Sequence, residues 1–378
     1  MALIGFLNSM KGVSFPLMRN GFNVSYNDMG LMNALIFVIA VSSCITAGIC
    51  LNRTGLKKTV VTSFFFVMLG VGTLYFSTGL WMAMGFYFML QAGICFFEVS
   101  LNGVGVRVFT VKSGLMMNLL HFFFGVGAVG GPRFIGYMVN RQGMSWQEVY
   151  PLTLIPAFIL LSMSLLIRFP GKPETTVSQQ GQGTSFLTVL KDPLVWLFGI
   201  IMGISGGIEG IAVAWSGLYL QDVYGLDPST FGATFVSAFF LLYTISRLLS
   251  GFIIEKTGYM RSIFVSGLTI TVLFVTAFSL GRQGIYLLPV AGFFVAIMWP
   301  TAVAISVKVF KERAPSASSA TICIAFTLNG IIQYGVGLSN HFLGAAWGYR
   351  TCVVYSVIMG VLLFILVRRN KVCGWNIR

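Results

Sequence analysis

Long apolar stretches alternate with short polar breaks along the whole chain. A hydrocarbon core about 30 Å thick needs roughly 20 apolar residues per crossing helix, because each helix must satisfy its own backbone groups there. Stretches of this length, separated by charged residues or by proline and glycine, predict twelve spanning helices. We place these helices at residues 2–20, 31–51, 59–79, 82–106, 113–139, 149–169, 193–221, 229–253, 262–281, 284–309, 315–343 and 349–368.

The longest polar interval divides these spans into two sets of six. It covers residues 170–192 and joins Gly171-Lys172-Pro173-Glu174 to a stretch rich in glutamine and glycine. Such a composition is typical of a linker. We therefore expect an N-terminal six-helix bundle at 1–169, a cytoplasmic linker at 170–192, and a C-terminal six-helix bundle with a short basic tail at 193–378.

Composition supports a membrane protein, since 56% of the residues are hydrophobic and only 9% are charged. The net charge of +14 could indicate a nucleic-acid partner, but the basic residues lie between the apolar stretches rather than on one face or tail. The sequence contains no nucleotide-binding loop, metal-ligand cluster or nucleophile motif. We expect neither an enzyme nor a cofactor, metal or nucleic-acid partner.

The distribution of lysine and arginine predicts the orientation, because short cytoplasmic loops are enriched in both. An N-terminus inside the cell leaves only Arg19, Arg141, Arg282 and Arg350 in the outer loops. We therefore expect a multi-pass protein of the cell membrane, such as an inner membrane, with both termini cytoplasmic.

A short motif occurs twice, after the second and the eighth predicted helix. Its spacing is Gly-x4-Arg/Lys-x-Gly-x2-Lys/Arg, with the first glycine at Gly48 and Gly251. The motif residues that follow are Arg53, Gly55, Lys58, Lys256, Gly258 and Arg261. We expect the glycine to let two helices approach closely and the basic residues to bond the carbonyl ends of neighbouring helices.

This repeat resembles the signature loop of the major facilitator superfamily. The resemblance implies an all-α membrane fold of twelve helices in two pseudo-symmetric six-helix bundles, and makes the six motif residues above candidate gating-loop residues. Asn52 departs from the family pattern, which usually has aspartate there. That change weakens any charge latch in the first loop.

Few charged residues fall within the predicted spans, where each costs about 2.5–3.5 kcal/mol on insertion scales. Apart from residues within two positions of a span end, they are Lys11, Glu98, Arg133, Glu209 and Arg247, with His121 as a titratable neighbour. Such groups need a partner or a water-filled cavity. We expect Arg247, which we place near the cytoplasmic end of its helix, to snorkel or to pack at a gate.

Polar residues recur at helical spacing on three predicted helices. Gln91, Cys95, Glu98 and Asn102 share one face of the fourth helix. Asn118 and His121 form a similar stripe on the fifth, and Asn329 and Gln333 on the eleventh. We expect these faces to line a central cavity, with Trp299 beside it.

Several short motifs resemble the fucose–galactose–glucose:proton symporter group. They are Glu98-x3-Asn102, Asn118-x2-His121, Glu209-x5-Trp215-x3-Tyr219, Trp299-Pro300-Thr301 and Ala317-Ser318-Ser319. The resemblance implies that Glu98 binds substrate or a proton. The acid on the first helix of fucose permease-like transporters is missing here, where Lys11 lies nearby, and His121 replaces a glutamine.

The residues leave alternatives open at the charged positions. Glu98 could instead form a static buried pair with Lys11 that fixes two helices, and Glu209 could hold its helix to a neighbour or take part in proton coupling with Glu98 and Lys11.

The leading hypothesis for function is a monomeric secondary transporter that takes up a sugar or related small-molecule solute with protons. An organic-anion or drug transporter, and a membrane receptor that has lost transport, are the alternatives. A cavity containing Lys11, His121 and Arg133 also suits an acidic or sulfonated sugar.

Overall fold

The computed structural model describes residues 1–108, 113–169, 186–373, 375 and 377. Within these residues the regular elements are helices. The first set is α1 (Ala2–Phe22), α2 (Tyr26–Thr54), α3 (Leu56–Leu74), α4 (Leu80–Val108), α5 (Ser113–Gln142), α6 (Trp146–Leu152) and α7 (Leu154–Leu166). After the short α8 (Phe186–Val189) come α9 (Pro193–Ala214), α10 (Ser216–Tyr224), α11 (Ala233–Thr257), α12 (Tyr259–Ser279), α13 (Ala291–Phe310), α14 (Ala314–Leu343) and α15 (Ala345–Val372).

The helices agree in number with the twelve predicted spans. In the described part of the chain, eleven helical segments are long and apolar enough to cross a membrane. The first predicted span is α1, which has 21 residues but includes Lys11 and Arg19 and is not among the eleven. Together these segments supply the predicted twelve.

The seventh span is not the continuous helix that we predicted. The helix α9 ends at Ala214, Trp215 adopts φ −111° and ψ −14°, and α10 begins at Ser216. A π-helical turn, Pro228–Gly232, then leads into α11. Apolar periodicity runs through the break, so the sequence pattern did not reveal it.

The chain forms two compact units, and each unit is built from two separate stretches of the sequence. One unit contains Met1–Pro173 together with Ser216–Ser237. The other contains Glu174–Trp215 and Ala238–Arg378. The break at Trp215 therefore coincides with the point where the chain leaves one unit for the other.

The duplicated motif has the same local geometry in both copies. Gly55 separates α2 from α3 with φ +88° and ψ 170°, and Gly258 separates α11 from α12 with φ +85° and ψ 156°. Four residues later, the hydroxyl of Thr59 or Ser262 donates to the carbonyl of the preceding glycine at 2.9 or 2.7 Å. This backbone region is essentially restricted to glycine, which explains why the residue occurs at both positions.

The earlier glycines of the motif do not have the role that we expected. A Cβ atom added to Gly48 or Gly251 would meet no described heavy atom within 4 Å, so neither creates a close helix contact. The expectation for the basic motif residues stays a prediction, but their neighbour Lys57 makes a contact of this kind, because its Nζ donates to the carbonyl of Leu165 at 2.6 Å. The first loop is thereby joined to the end of α7.

In the second unit, α9 and α14 pack closely along a stripe of glycines. A Cβ atom at Gly199 would lie 2.7 Å from Ile324 Cγ2, and one at Gly203 would lie 2.9 Å from Leu328 Cβ. Small residues let membrane helices approach until dispersion contacts are favourable. This contact fixes the position of α14 along the axis of α9. It thereby also positions Asn329 and Gln333, which lie on α14.

The glycine geometry gives a testable prediction about stability. Gly258→Ala should destabilise the protein by about 1–3 kcal/mol, because the backbone at this position is strained for any residue with a Cβ atom. Gly251→Ala is the matched control, since it lies within α11 and has open space around it. The measurement is thermal unfolding of both purified variants in detergent. Equal melting temperatures for the two would contradict this explanation.

Candidate functional site

The polar stripe predicted on the fourth span lies on α4 and faces α2 along part of its length. Gln91 Nε2 donates to Cys95 Sγ at 3.5 Å. The Cys95 thiol also hydrogen-bonds with the thiol of Cys44 on α2, and Glu98 interacts electrostatically with both thiols. Glu98 therefore lies on the protein-facing side of α4, where it is half-buried.

Asn102 continues this face one helical turn beyond Glu98. Its Oδ1 atom is buried and has no hydrogen-bond partner among the described residues. A buried acceptor without a partner is costly and usually binds water or a ligand. Asn102 and Glu98 thus form a pair of acceptors on one helix face.

The remaining predicted groups of the first unit lie on α1 and α5. Lys11 is half-buried on α1, where its Nζ donates to Asn8 Oδ1 at 2.9 Å. His121 is half-buried on α5, whereas Arg133 on the same helix is exposed. The side chain of Asn118 lies outside the described part of the structure.

Three buried hydroxyl groups join α1, α4 and α6 in this unit. The oxygen of Ser14 lies 2.7 Å from that of Tyr87 and 3.0 Å from that of Tyr150, and the two tyrosine oxygens are 2.7 Å apart. Each hydroxyl can donate once around the ring, so all three are satisfied. Sequence reasoning missed this cluster because its members are isolated polar residues on distant helices.

In the second unit, Gln333 is buried and its side-chain amide binds protein groups. Its Oε1 accepts from Trp215 Nε1 at 2.8 Å, and its Nε2 lies 3.1 Å from the Gly207 carbonyl and 3.2 Å from Asn329 Oδ1. The same side chain therefore binds α9 before the break and the indole at the break. A solute hydroxyl could bind this amide only by replacing one of these partners.

Trp299 and Asn329 lie beside the same glycine. A Cβ atom on Gly206 would be 3.1 Å from Asn329 Nδ2 and 3.7 Å from Trp299 Cζ3. The Trp299 ring is half-buried and packs against Phe326 with ring centroids 5.9 Å apart. Three helices, α9, α13 and α14, thus bring an aromatic ring and an amide together, and their place in a central cavity stays a prediction.

A family model described as Major Facilitator Superfamily matches residues 1–334. The chain belongs to the Major Facilitator Superfamily. It is therefore a multi-pass membrane transporter built from apolar helices, and the resemblance inferred from the duplicated loop is confirmed at the level of the superfamily.

Solved structures of facilitator transporters share this fold. A D-xylose–proton symporter has a TM-score of 0.74 at 14% identity, with 95% of this chain and 94% of that chain covered. The Escherichia coli fucose:proton symporter has a TM-score of 0.64 at 17% identity, with 97% and 95% covered. A bacterial homologue of the human lysosomal transporter Spinster has a TM-score of 0.79 at 13% identity, also with 97% and 95% covered.

These identities are low, so the structural similarity shows the facilitator fold and no more. The fold is shared by transporters for different solutes, including the nucleoside transporter NupG. No curated protein sequence matches the chain. The substrate must therefore be argued from this chain's own residues.

The facilitator gating-loop residues lie at helix ends. Arg53, Lys58, Lys256 and Arg261 are exposed, and Gly55 and Gly258 form the sharp connections described above. Their role in gating stays a prediction.

Two charged groups that sequence reasoning considered separately are connected in the second unit. The hydroxyl of Tyr243, on α11, hydrogen-bonds with Glu209 of α9 and with Arg247. Arg247 was expected to reach the cytoplasmic surface or to pack at a gate. The surface expectation is wrong, because the guanidinium turns into the protein to bind Tyr243.

The contacts of Gln333 lead to a second prediction. Gln333→Leu removes the acceptor for Trp215 Nε1, and a buried donor left unpaired should cost about 1–3 kcal/mol. Thr327→Val is the control on the same helix, because its exposed hydroxyl bonds to the Cys323 carbonyl one turn away. Thermal unfolding in detergent measures both. The assignment fails if Gln333→Leu melts no lower than Thr327→Val.

Proposed function

We propose that this facilitator transporter carries a sugar or sugar-like solute together with a proton, by alternating access. The transport class follows from the superfamily, and the solute and the proton are our inference. Uptake into the cell across its inner membrane, by a monomer with both termini cytoplasmic, is the simplest form of the proposal.

The observation that carries the proposal is the pair of acceptors on α4. The Oδ1 atom of Asn102 is buried without a described partner, one turn from the half-buried Glu98. A solute rich in hydroxyl groups could donate to both. An apolar drug would leave Asn102 unsatisfied, and such a mismatch disfavours binding.

The second unit offers chemistry that suits the same kind of solute. Trp299 presents an aromatic ring beside the Asn329 amide, and aromatic faces suit the C–H side of a sugar ring. We propose Gln91, Glu98, Asn102, Asn118, His121, Trp299, Asn329 and Gln333 as the substrate-binding residues. Gln333 would contribute after exchanging one of its present hydrogen bonds.

Proton coupling is assigned to Glu98, with Lys11 and Glu209. Glu98 is an acid within a span, and a buried carboxylate that can change partner is the usual means of moving a proton across a bilayer. Lys11 occupies the helix in which fucose permease-like transporters have an acid. It would bind Glu98 in one state of the cycle and release it in another.

An acidic sugar is the second candidate substrate. Lys11 and the exposed side chain of Arg133 give the first unit basic groups on α1 and α5, which a neutral sugar does not require.

A membrane receptor that has lost transport is the remaining alternative. A flux assay in proteoliposomes distinguishes it from a transporter, because a receptor would move no solute.

Ligand binding gives the third prediction. In a thermal-shift screen of neutral sugars, sugar acids and drugs, a ligand at 100 times its dissociation constant should stabilise the protein by about 2.7 kcal/mol. Asn102→Ala should reduce the shift produced by the best sugar. Ser100→Ala should not, because that hydroxyl bonds to the Phe96 carbonyl within α4. If only organic anions without a sugar ring, or only drugs, shift the melting temperature, that class of compound is the substrate and the sugar proposal is wrong.

Glu98→Gln gives the fourth prediction, measured with the ligand from that screen in proteoliposomes. The variant keeps the shape of the side chain and cannot carry a proton, so accumulation driven by a proton gradient should be lost while solute exchange continues. If the Glu98→Gln variant accumulates solute at the wild-type level, Glu98 does not take part in proton coupling. If Glu98→Gln and Lys11→Met both fail to fold and the double variant recovers, the two form a static pair.

A further inference from the structure

Arg247 lies in the middle of a span rather than near its end. It is ten residues before Thr257, the last residue of α11, which places it roughly 15 Å from that end at 1.5 Å per residue. Its neighbours Leu248 and Leu249 are 48% and 44% exposed on the apolar surface, whereas Arg247 is on the half-buried side. A charge at this depth needs a partner inside the protein.

The guanidinium points away from the cytoplasmic end of α11. Its Nη2 donates to the hydroxyl of Tyr243 at 2.5 Å, and its Cζ lies 5.0 Å from the centroid of that ring. Tyr243 is four residues earlier on the same helix, so the Arg247 side chain extends towards the start of α11. A snorkelling arginine would extend in the opposite direction.

Tyr243 connects this cation to an acid on another helix. Its side chain is only 5% exposed, and its hydroxyl also hydrogen-bonds with Glu209 of α9. A tyrosine hydroxyl can accept from a guanidinium and donate to a carboxylate at the same time. The Glu209 carboxylate and the Arg247 guanidinium therefore both bind the buried hydroxyl of Tyr243, and their charges cancel.

We propose that Glu209, Tyr243 and Arg247 form one coupling element of the second unit. In this element Arg247 is the counter-ion of Glu209, and Tyr243 is the positioning residue that holds the carboxylate and the guanidinium in register. The inference rests on the proposed proton-coupled transport, and it adds Tyr243 and Arg247 to the residues on which coupling depends.

A double-mutant cycle tests the pairing without any substrate. Removing one charge of a buried pair leaves the other uncompensated, whereas removing both does not. We expect Glu209→Gln and Arg247→Met each to lower the melting temperature of the purified protein, and the double variant to melt above at least one of them. If a single variant fails to fold, recovery of folded protein in the double variant gives the same answer.

The control cycle combines Glu209→Gln with Arg350→Met. Arg350 is in the same unit, but its guanidinium lies over the rings of Trp347 and Phe278, at 5.4 and 6.0 Å. The two effects should be additive there. Additivity in the Arg247 cycle as well would overturn the pairing.

Transport then tests whether the pair contributes to coupling or only to stability. In proteoliposomes with the solute from the thermal-shift screen, Arg247→Met and Tyr243→Phe should retain exchange and lose most proton-driven accumulation. Arg247→Lys, which keeps the charge, should recover part of it. Arg247→Met that accumulates as well as wild type would show a purely structural role.

The two proposals fail in distinguishable ways. If wild-type protein moves solute but accumulates none under a proton gradient, the proposed proton coupling is wrong, and the coupling role assigned to this element falls with it. The double-mutant cycle would still report whether the charges are paired. If wild type accumulates solute and the Arg247 variants do so equally, proton coupling stands and only this inference is overturned.

Discussion

The cost of placing a polar group in hydrocarbon governs this molecule. Lipid offers no hydrogen bonds, so every charge and amide within a span must find its partner in the protein or in a water-filled space. The chain meets this requirement with the three-hydroxyl ring of Ser14, Tyr87 and Tyr150 in one unit and the Gln333 amide in the other. Asn102 is one of several exceptions, since its buried oxygen is among the polar atoms that have no hydrogen-bond partner in the described part of the chain.

Glycine makes these polar contacts possible by controlling how closely helices approach. The stripe of glycines on α9 brings α14 near enough for Gln333 to reach the Gly207 carbonyl across the interface. Gly55 and Gly258 serve a different purpose, since their positive φ allows one helix to end and the next to begin without a longer loop. Backbone conformation and close packing are thus separate uses of the same residue.

The sequence was sufficient for the number of spans and for the superfamily, because apolar length and a duplicated motif are local signals. It was insufficient where the deciding contact joins residues far apart in the chain. The seventh span breaks at Trp215, whose indole bonds to Gln333 on α14, and nothing in the apolar pattern around Trp215 signals this. The direction of Arg247 was missed for the same reason, since it depends on Tyr243 and on Glu209 from another helix.

We propose that solute and proton cross the membrane together and that Glu98 takes part in this coupling. The most direct measurement is the internal pH of proteoliposomes containing a pH-sensitive dye, with no proton gradient imposed at the start. Adding the solute from the thermal-shift screen should acidify the interior of wild-type vesicles, because inward solute flow carries protons with it. Glu98→Gln vesicles should show solute exchange without acidification. Solute entry into wild-type vesicles with no change in internal pH would contradict the account.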